Sequence, residues 1–447
     1  MKRIMFILAT VLAATLFIPQ ASALPLFARQ TGMECSACHY QHFPMLNAFG
    51  RAFKTNAFTM MGVQSKVDGD RLSIPSNLNM AGLTTLGYER TNARDASPSF
   101  PGTRNDGNGT FYTPGHSGEL SLFFGGRINE NAGFLTEVGL LGPADQSSAK
   151  MPILFEVADS ARAGIVPFTT NAQGASYGFE LLNTGACAVH QMSSVGGFNG
   201  AHTTTISAQQ FIGTGAAATG YSLVASNPTG FINFTKYNQL GTGDLTGGNN
   251  TSGSGSLMGA GLDSTYLRAA GFIDVAGWEV GVGIQSWSGS SLSATDLTVP
   301  LTTTTAAIAS TKATAIDGQL QGDWRNKPVG IYASYATAPA DATVYNSYNP
   351  NTLTKSSFNI SAEVGVLPGI ATVGAAIRRG QSGIDDGAGS NEADNAIMMT
   401  GTYKLSQNML ASLSYTIASG SYWTANNNAN KLATGSKTAT LNLFTLF

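Results

Sequence analysis

The sequence predicts a mainly β chain: an outer-membrane-type antiparallel β-barrel of about 16 strands behind a small N-terminal α-helical segment. Three observations predict it. Charged residues are only 11% of the 447, against the roughly 25% usual for soluble domains, yet mean hydropathy is +0.02. After the first 23 residues no apolar run reaches the length of about 18 that a spanning helix needs, so a closed barrel is the remaining way to satisfy a backbone in lipid. From residue 72 onward, period-two segments are joined by connections that alternate short and long. The net charge of −2 and the lack of a Lys/Arg cluster argue against a nucleic-acid partner.

Residues 1–23 read as a cleavable secretory signal. Lys2 and Arg3 start it, Ile4 to Ile18 is almost unbroken apolar sequence, and Ala21-Ser22-Ala23 is a small-x-small cleavage site.

Residues 24–71 form the next unit. Cys35-Ser36-Ala37-Cys38-His39 is C-x-x-C-H, the pattern of c-type haem attachment. Two thiols at that spacing add to the two haem vinyl groups, and His39 then reaches the iron from the proximal side. No second C-x-x-C completes a zinc site. The segment from Pro44 to Lys54 reads as a helix, with Met45, Phe49 and Phe53 as an apolar stripe fit to cover one haem face. Arg29, Arg51 and Lys54 are candidates for pairing with the propionates. Met60 and Met61 are candidates for the distal iron ligand, Met60 the preferred one, and a Met thioether there raises the reduction potential. His42 and Met45 follow His39 too closely to cross to the other face. Cys187 is left over, and its neighbours His190 and Met192 make no convincing metal set; His116 and His202 are scattered.

Residues 72–447 form the barrel. Trp278, Val280, Val282 and Ile284 alternate with Glu279, Gly281, Gly283 and Gln285, which predicts a strand with a lipid face and a lumen face. Similar runs occur at 120–128, 331–335, 396–405 and 409–416. Short turns are expected at 129–132, 227–229, 274–277, 325–328, 367–369 and 406–408. Long loops are expected near 92–116, 238–263, 288–313, 338–356, 381–394 and 419–436. The stretch 159–217 is the least regular, and 174–179 reads as a loop returning to a strand. Asp385, Asp386, Glu392 and Asp394 share one long loop, and Glu137, Glu279 and Glu363 are predicted lumen carboxylates; ordinary solvated charge is the simpler reading of each. The chain ends on an amphipathic strand closing with Phe447, which resembles the signal read by the outer-membrane barrel insertion machinery.

From Leu24 to His39 the chain reads LPLFARQTGMECSACH, and Phe43-Pro44, Leu46-Asn47, Phe49-Gly50-Arg51 and Phe53-Lys54 follow. These 40 or so residues resemble the fused monohaem cytochrome c–porin family of outer-membrane iron oxidases. The resemblance implies one covalent haem c, location in the bacterial outer membrane, oxidation of extracellular Fe(II), and delivery of electrons to a periplasmic c-type cytochrome. Competing expectations are a conduit for another extracellular donor or acceptor, and a diffusion porin with a structural haem plug. A peroxidase-like enzyme is disfavoured because no distal acid–base residue is placed for it.

Overall fold

The computed structural model describes residues 25–70, 72–92, 109–115, 117–141, 147–171, 173–182, 207–239, 261–293, 307–341, 344, 346–424 and 435–447. The signal segment 1–23, His116, Cys187, His190, Met192 and His202 lie outside the described residues.

Among the described residues the strands close into one antiparallel barrel of sixteen staves. In chain order these are β1 (Asn79–Thr91), β2 (Gly109–Pro114 with Leu120–Arg127), β3 (Gly133–Leu141), β4 (Ser148–Lys150 with Ile153–Ala158), β5 (Ala161–Thr170), β6 (Ala218–Asn227), β7 (Gly230–Gln239) and β8 (Ser264–Val275). They continue as β9 (Trp278–Ser288), β10 (Ala313–Trp324), β11 (Lys327–Ala338), β12 (Lys355–Leu367), β13 (Ala371–Asp385), β14 (Asn391–Ala393 with Asn395–Ser406), β15 (Met409–Ser419) and β16 (Lys437–Leu446). β16 pairs with β1 from Leu446–Leu83 to Thr438–Thr91, which closes the cylinder. Phe447 completes the seam: its N–H donates to the Gly82 carbonyl at 2.9 Å and its ring fills the space a Cβ on Gly82 would need. Closure leaves no unpaired edge, the condition for a sheet in lipid.

Side-chain parity follows the period-two pattern. Val282, Ile284, Ile316, Ile360 and Ile377 are exposed on the outer face, whereas Gln285, Asp317, Asn359 and Arg378 are buried toward the lumen. An apolar outside and a polar inside invert the soluble pattern and define a membrane barrel.

All six expected short turns are present, and a seventh joins Ala158 to Ala161. The irregular stretch 159–217 contains that turn, stave β5, and a connection whose described part 173–182 folds into the lumen. Its 174–179 segment does not return to a strand. It forms a single 3-10 turn at Ala175–Tyr177, and among the described residues the next stave starts at Ala218. The inward path is set by burial of Tyr177, Phe179, Leu181 and Leu182 and by Asn233 Nδ2, which donates to the Phe179 carbonyl at 2.8 Å.

The N-terminal segment plugs the end that carries the short turns. Helix α1 (Pro25–Thr31) begins with Pro, whose missing N–H costs nothing there, and ends at Gly32, whose φ of +75° is the left-handed cap glycine allows. Helix α2 is the single turn Cys35–Cys38. Helix α3 runs Ala48–Thr55, not from Pro44 as the pattern predicts. Asn47 caps it by accepting from the Gly50 N–H at 2.9 Å, and the Met45 carbonyl is used outside the helix. Lys66–Gly69 and Leu72–Pro75 then form a small hairpin across the expected domain boundary at 71, before the first stave begins at Asn79.

Candidate functional site

The C-x-x-C-H turn is held inside the barrel mouth by wall contacts on several sides. The Tyr40 hydroxyl donates to the Gly322 carbonyl at 2.6 Å and accepts from the Gly322 N–H at 3.0 Å, near the end of β10. Gln41 donates to the Pro328 carbonyl at 2.9 Å. His42 Nε2 lies 2.7 Å from Glu363 Oε1 on β12, both side chains almost fully buried. The Phe43 ring stacks on Phe444 of β16 at 5.7 Å between centroids. Arg51 pairs with Glu279 on β9, and its guanidinium lies 4.5 Å over the Phe272 ring. Gln30 ties the segment to itself and the wall, donating to the Phe58 and Met60 carbonyls at 2.6 and 2.8 Å and accepting from Asn79 at 3.2 Å.

Cys35 and Cys38 stand three residues apart on one helical turn, so both thiols share a face. Burial pushes the Cys35 thiol up to about 11, with Lys404 opposing, and raises Cys38 as well. Both are therefore thiols at neutral pH, the form that adds across a vinyl group. Cys35 Sγ lies 2.8 Å from the Gln407 carbonyl in the β14–β15 turn.

Burial pulls the His39 imidazole down to about 4, against the opposing Met45 carbonyl bond, so it stays neutral at physiological pH. Its Nδ1 lies 3.0 Å from that carbonyl. This bond places the proton on Nδ1 and leaves the Nε2 lone pair without a proton, the tautomer that coordinating imidazoles adopt.

Beside His39 opens an apolar pocket lined by Phe27, Met33, Cys38, Leu46, Phe53, Phe58 and, from β3, Leu135. Phe27, Phe53 and Phe58 pack on one another at 4.9–5.8 Å between centroids. The open space between these side chains is about 80 Å³. Lys54 also lines this pocket, its pKa lowered to about 7 by burial with Glu180 opposing. Two thiols on one turn and a neutral imidazole, beside an aromatic wall and the Lys54 amine, fit the residue types of c-type haem attachment.

Gly50 explains how α3 reaches the motif. A Cβ there would stand 2.2 Å from the Cys38 carbonyl, so only glycine permits this approach.

Of the basic candidates, Lys54 alone lines the pocket; Arg51 is engaged by Glu279 and Arg29 by the Met80 carbonyl. Met33 lines the pocket, while Met60 and Met61 do not; the Met60 carbonyl is held by Gln30. Glu279 and Glu363 do face the lumen, but they anchor the plug. Asp394 pairs with Arg378 at 2.6 Å, and Asp385 and Asp386 accept backbone N–H groups of their own loop. Among the described residues no three His, Cys, Asp or Glu side chains converge on a common metal position.

No family model matches this chain, and no curated protein does. Solved structures similar to it are porins and outer-membrane channels. OmpT of Vibrio cholerae is 9% identical over 86% of this chain and 100% of its own, with a TM-score of 0.47. An anion-selective porin from Comamonas acidovorans is 11% identical over 83% and 99%, with a TM-score of 0.44. The outer membrane channel DcaP of Acinetobacter baumannii is 11% identical over 83% and 97%, with a TM-score of 0.43.

Sequence reasoning missed the partners that hold the motif. His42, too close to His39 to reach the far side of the iron, instead fastens the plug to Glu363. The infolded 173–182 segment also touches the motif, through the Leu46 N–H donated to the Leu182 carbonyl at 3.3 Å.

Proposed function

We propose that this chain is an outer-membrane electron-transfer protein. It holds one haem c at the periplasmic mouth of its barrel and passes electrons from extracellular Fe(II) to a periplasmic c-type cytochrome. The observation that carries the reading is the C-x-x-C-H turn locked into the barrel mouth against an apolar pocket, with His39 Nδ1 bonded to the Met45 carbonyl.

Cys35 and Cys38 would hold the group covalently and His39 Nε2 would ligate its iron. Bound there, a haem c supplies a one-electron ferric/ferrous couple. Phe27, Phe53 and Phe58 exclude water from that site, and Lys54 offers a cation to a carboxylate at the pocket rim. The short turns mark the periplasmic end, so the site faces the periplasm and an outside donor lies across the barrel from it.

Stopped-flow mixing of the haem-loaded protein with Fe(II) is expected to shift the haem absorption to the ferrous form. No reduction across a wide pH range would remove Fe(II) as donor and leave the electron-transfer reading in place. Alanine at Met33, Met60 and Met61 in turn identifies the sixth ligand as the one whose loss lowers the reduction potential.

A second reading, a diffusion porin with a structural plug, is favoured by the polar lumen of a sixteen-stave barrel, a size at which an aqueous channel fits. Liposome efflux of small sugars separates the two. Rapid efflux from the intact chain supports the porin; efflux only after removal of residues 24–76 supports the plugged electron-transfer protein.

A further inference from the structure

We propose that the long-loop end of the closing seam, from β13 through β16 to β1, binds a membrane lipid whose sugar headgroup carries phosphates. The inference rests on the barrel and its lipid face, not on the haem reading.

On β1 the outward side chains change in order toward the long-loop end. Met80 and Leu86 are exposed apolar groups, Tyr88 follows, and Arg90 ends the series. From Met80 to Arg90 the stave advances about 3.3 Å per residue at a tilt of about 40°, a rise of about 25 Å along the membrane normal. That rise equals the height of the apolar band, so Arg90 stands at the level of the headgroups. Neighbouring staves repeat the order. β13 presents Val373 and Ile377 and then Arg379, and β16 presents Leu441 and then Lys437. Tyr88 packs on Phe111 at 4.8 Å between centroids, and Tyr415 is exposed opposite Ala439. Aromatic rings at this depth mark the membrane interface.

The three cations are unbalanced. Arg90, Arg379 and Lys437 are exposed, and none has a carboxylate partner among the described residues. The described carboxylates at this end are committed or distant. Glu89 faces the lumen and accepts from Thr440 at 3.3 Å, Asp394 pairs with Arg378, and Glu392 is buried. Asp341 pairs with Lys312 at 3.0 Å. Asp385 and Asp386 accept N–H groups of their own loop, at the far tip of β13. Asp263 stands just before β8, away from the seam. On β10, β11 and β12 the same outward level carries the uncharged Thr314, Thr337 and Ser356. Lys236 on β7 is bonded to Thr265 Oγ1 at 3.0 Å.

Spacing identifies the occupant. Arg90 lies opposite Ala439, two residues from Lys437, so the two cations are diagonal neighbours about 7–8 Å apart and can flank one phosphate. Arg379 stands three staves from Lys437, about 14 Å across the sheet. A glycerophospholipid offers a single phosphate. A disaccharide headgroup with a phosphate at each end offers two, and its acyl chains can lie along the exposed Ile397, Met399 and Leu413 of β14 and β15. Charge-assisted N–H bonds to phosphate are the strong ones, and a guanidinium makes them in pairs.

The test is native mass spectrometry of the purified full chain in a nonionic detergent. The probes are diphosphoryl lipid A, its dephosphorylated form and phosphatidylglycerol. Diphosphoryl lipid A is expected to bind about tenfold or more tighter than either of the others. The variant Arg90→Gln, Arg379→Gln, Lys437→Gln should abolish that preference, whereas Arg90→Lys with Arg379→Lys should keep part of it. Lys66→Gln with Arg325→Gln, at the short-turn end, should change nothing. Heat-modifiable gel mobility reports whether each variant is folded. Should the triple variant fail to fold, Arg379→Gln alone decides, with an expected loss of about fivefold. Equal binding of diphosphoryl lipid A and either other lipid would overturn the site. So would a folded variant that keeps the preference, or a dimer of the chain in place of lipid adducts.

Discussion

His42 and Glu363 show how one pair can fix a plug. Burial disfavours a charged imidazole, but the facing carboxylate outweighs it and raises the His42 pKa. A raised histidine pKa stabilises the pair fully below the unfolded value of about 6.5, and that contribution is lost as pH rises through the folded value. Hydrogen exchange at residues 39–46 is therefore expected to accelerate above its intrinsic pH trend once His42 deprotonates. Glu363→Gln should abolish that dependence and speed exchange about a hundredfold or more, since removing one partner of a buried pair costs about 3–5 kcal/mol. At Cys35 and Cys38 the prediction is covalent: the double Ser variant should show no haem staining on a denaturing gel. The single variants should keep a weaker signal. Loss of staining in neither single nor double variants would exclude thioether attachment.

At the scale of elements, the contact of α3 with the C-x-x-C-H turn decides how closely the pocket forms. The Gly50 Cα approaches the Cys38 carbonyl so tightly that any side chain must push the helix away. Gly50→Ala should cost about 1–3 kcal/mol by overpacking. It should appear as a lower haem-to-protein absorbance ratio, with the barrel's heat-modifiable gel mobility unchanged. The period-two pattern identified strands such as Trp278–Ser288, with Val282 and Ile284 outward and Gln285 inward as expected. Alternation is local and strong wherever the two faces meet different solvents. The helix start was misread because Asn47 capping, and the use of the Met45 carbonyl by His39, are contacts that helical periodicity does not carry. Gly174–Phe179 was misread as approaching a strand for a related reason: a loop packed inside a lumen is as apolar as a strand.

Across the whole molecule, the infolded segment and the N-terminal plug are joined through one buried network. Arg268 on β8 pairs with Asp317 on β10 at 2.6 Å and with Glu180 at 3.1 Å. Glu180 in turn accepts from the Leu181 and Leu182 N–H groups at 3.0 and 2.9 Å, and the Leu182 carbonyl accepts from Leu46. Arg268→Gln leaves two buried carboxylates without their cation, a loss of about 3–5 kcal/mol. Single-channel conductance in planar bilayers is expected to rise as the segment releases; unchanged conductance would show that the network does not hold the lumen closed.

The amino-acid sequence by itself determined the barrel, its count of about 16 strands, its facing, its short-turn end and the C-x-x-C-H motif. Each of these is written in local patterns along the chain. The tertiary structure alone decided that the motif sits inside the mouth, that Glu279 and Glu363 serve as anchors, and that Met33 and Lys54 line the pocket. The two anchor pairs join residues 321 and 228 positions apart, and closing the sheet into a cylinder is what brings them within hydrogen-bond distance.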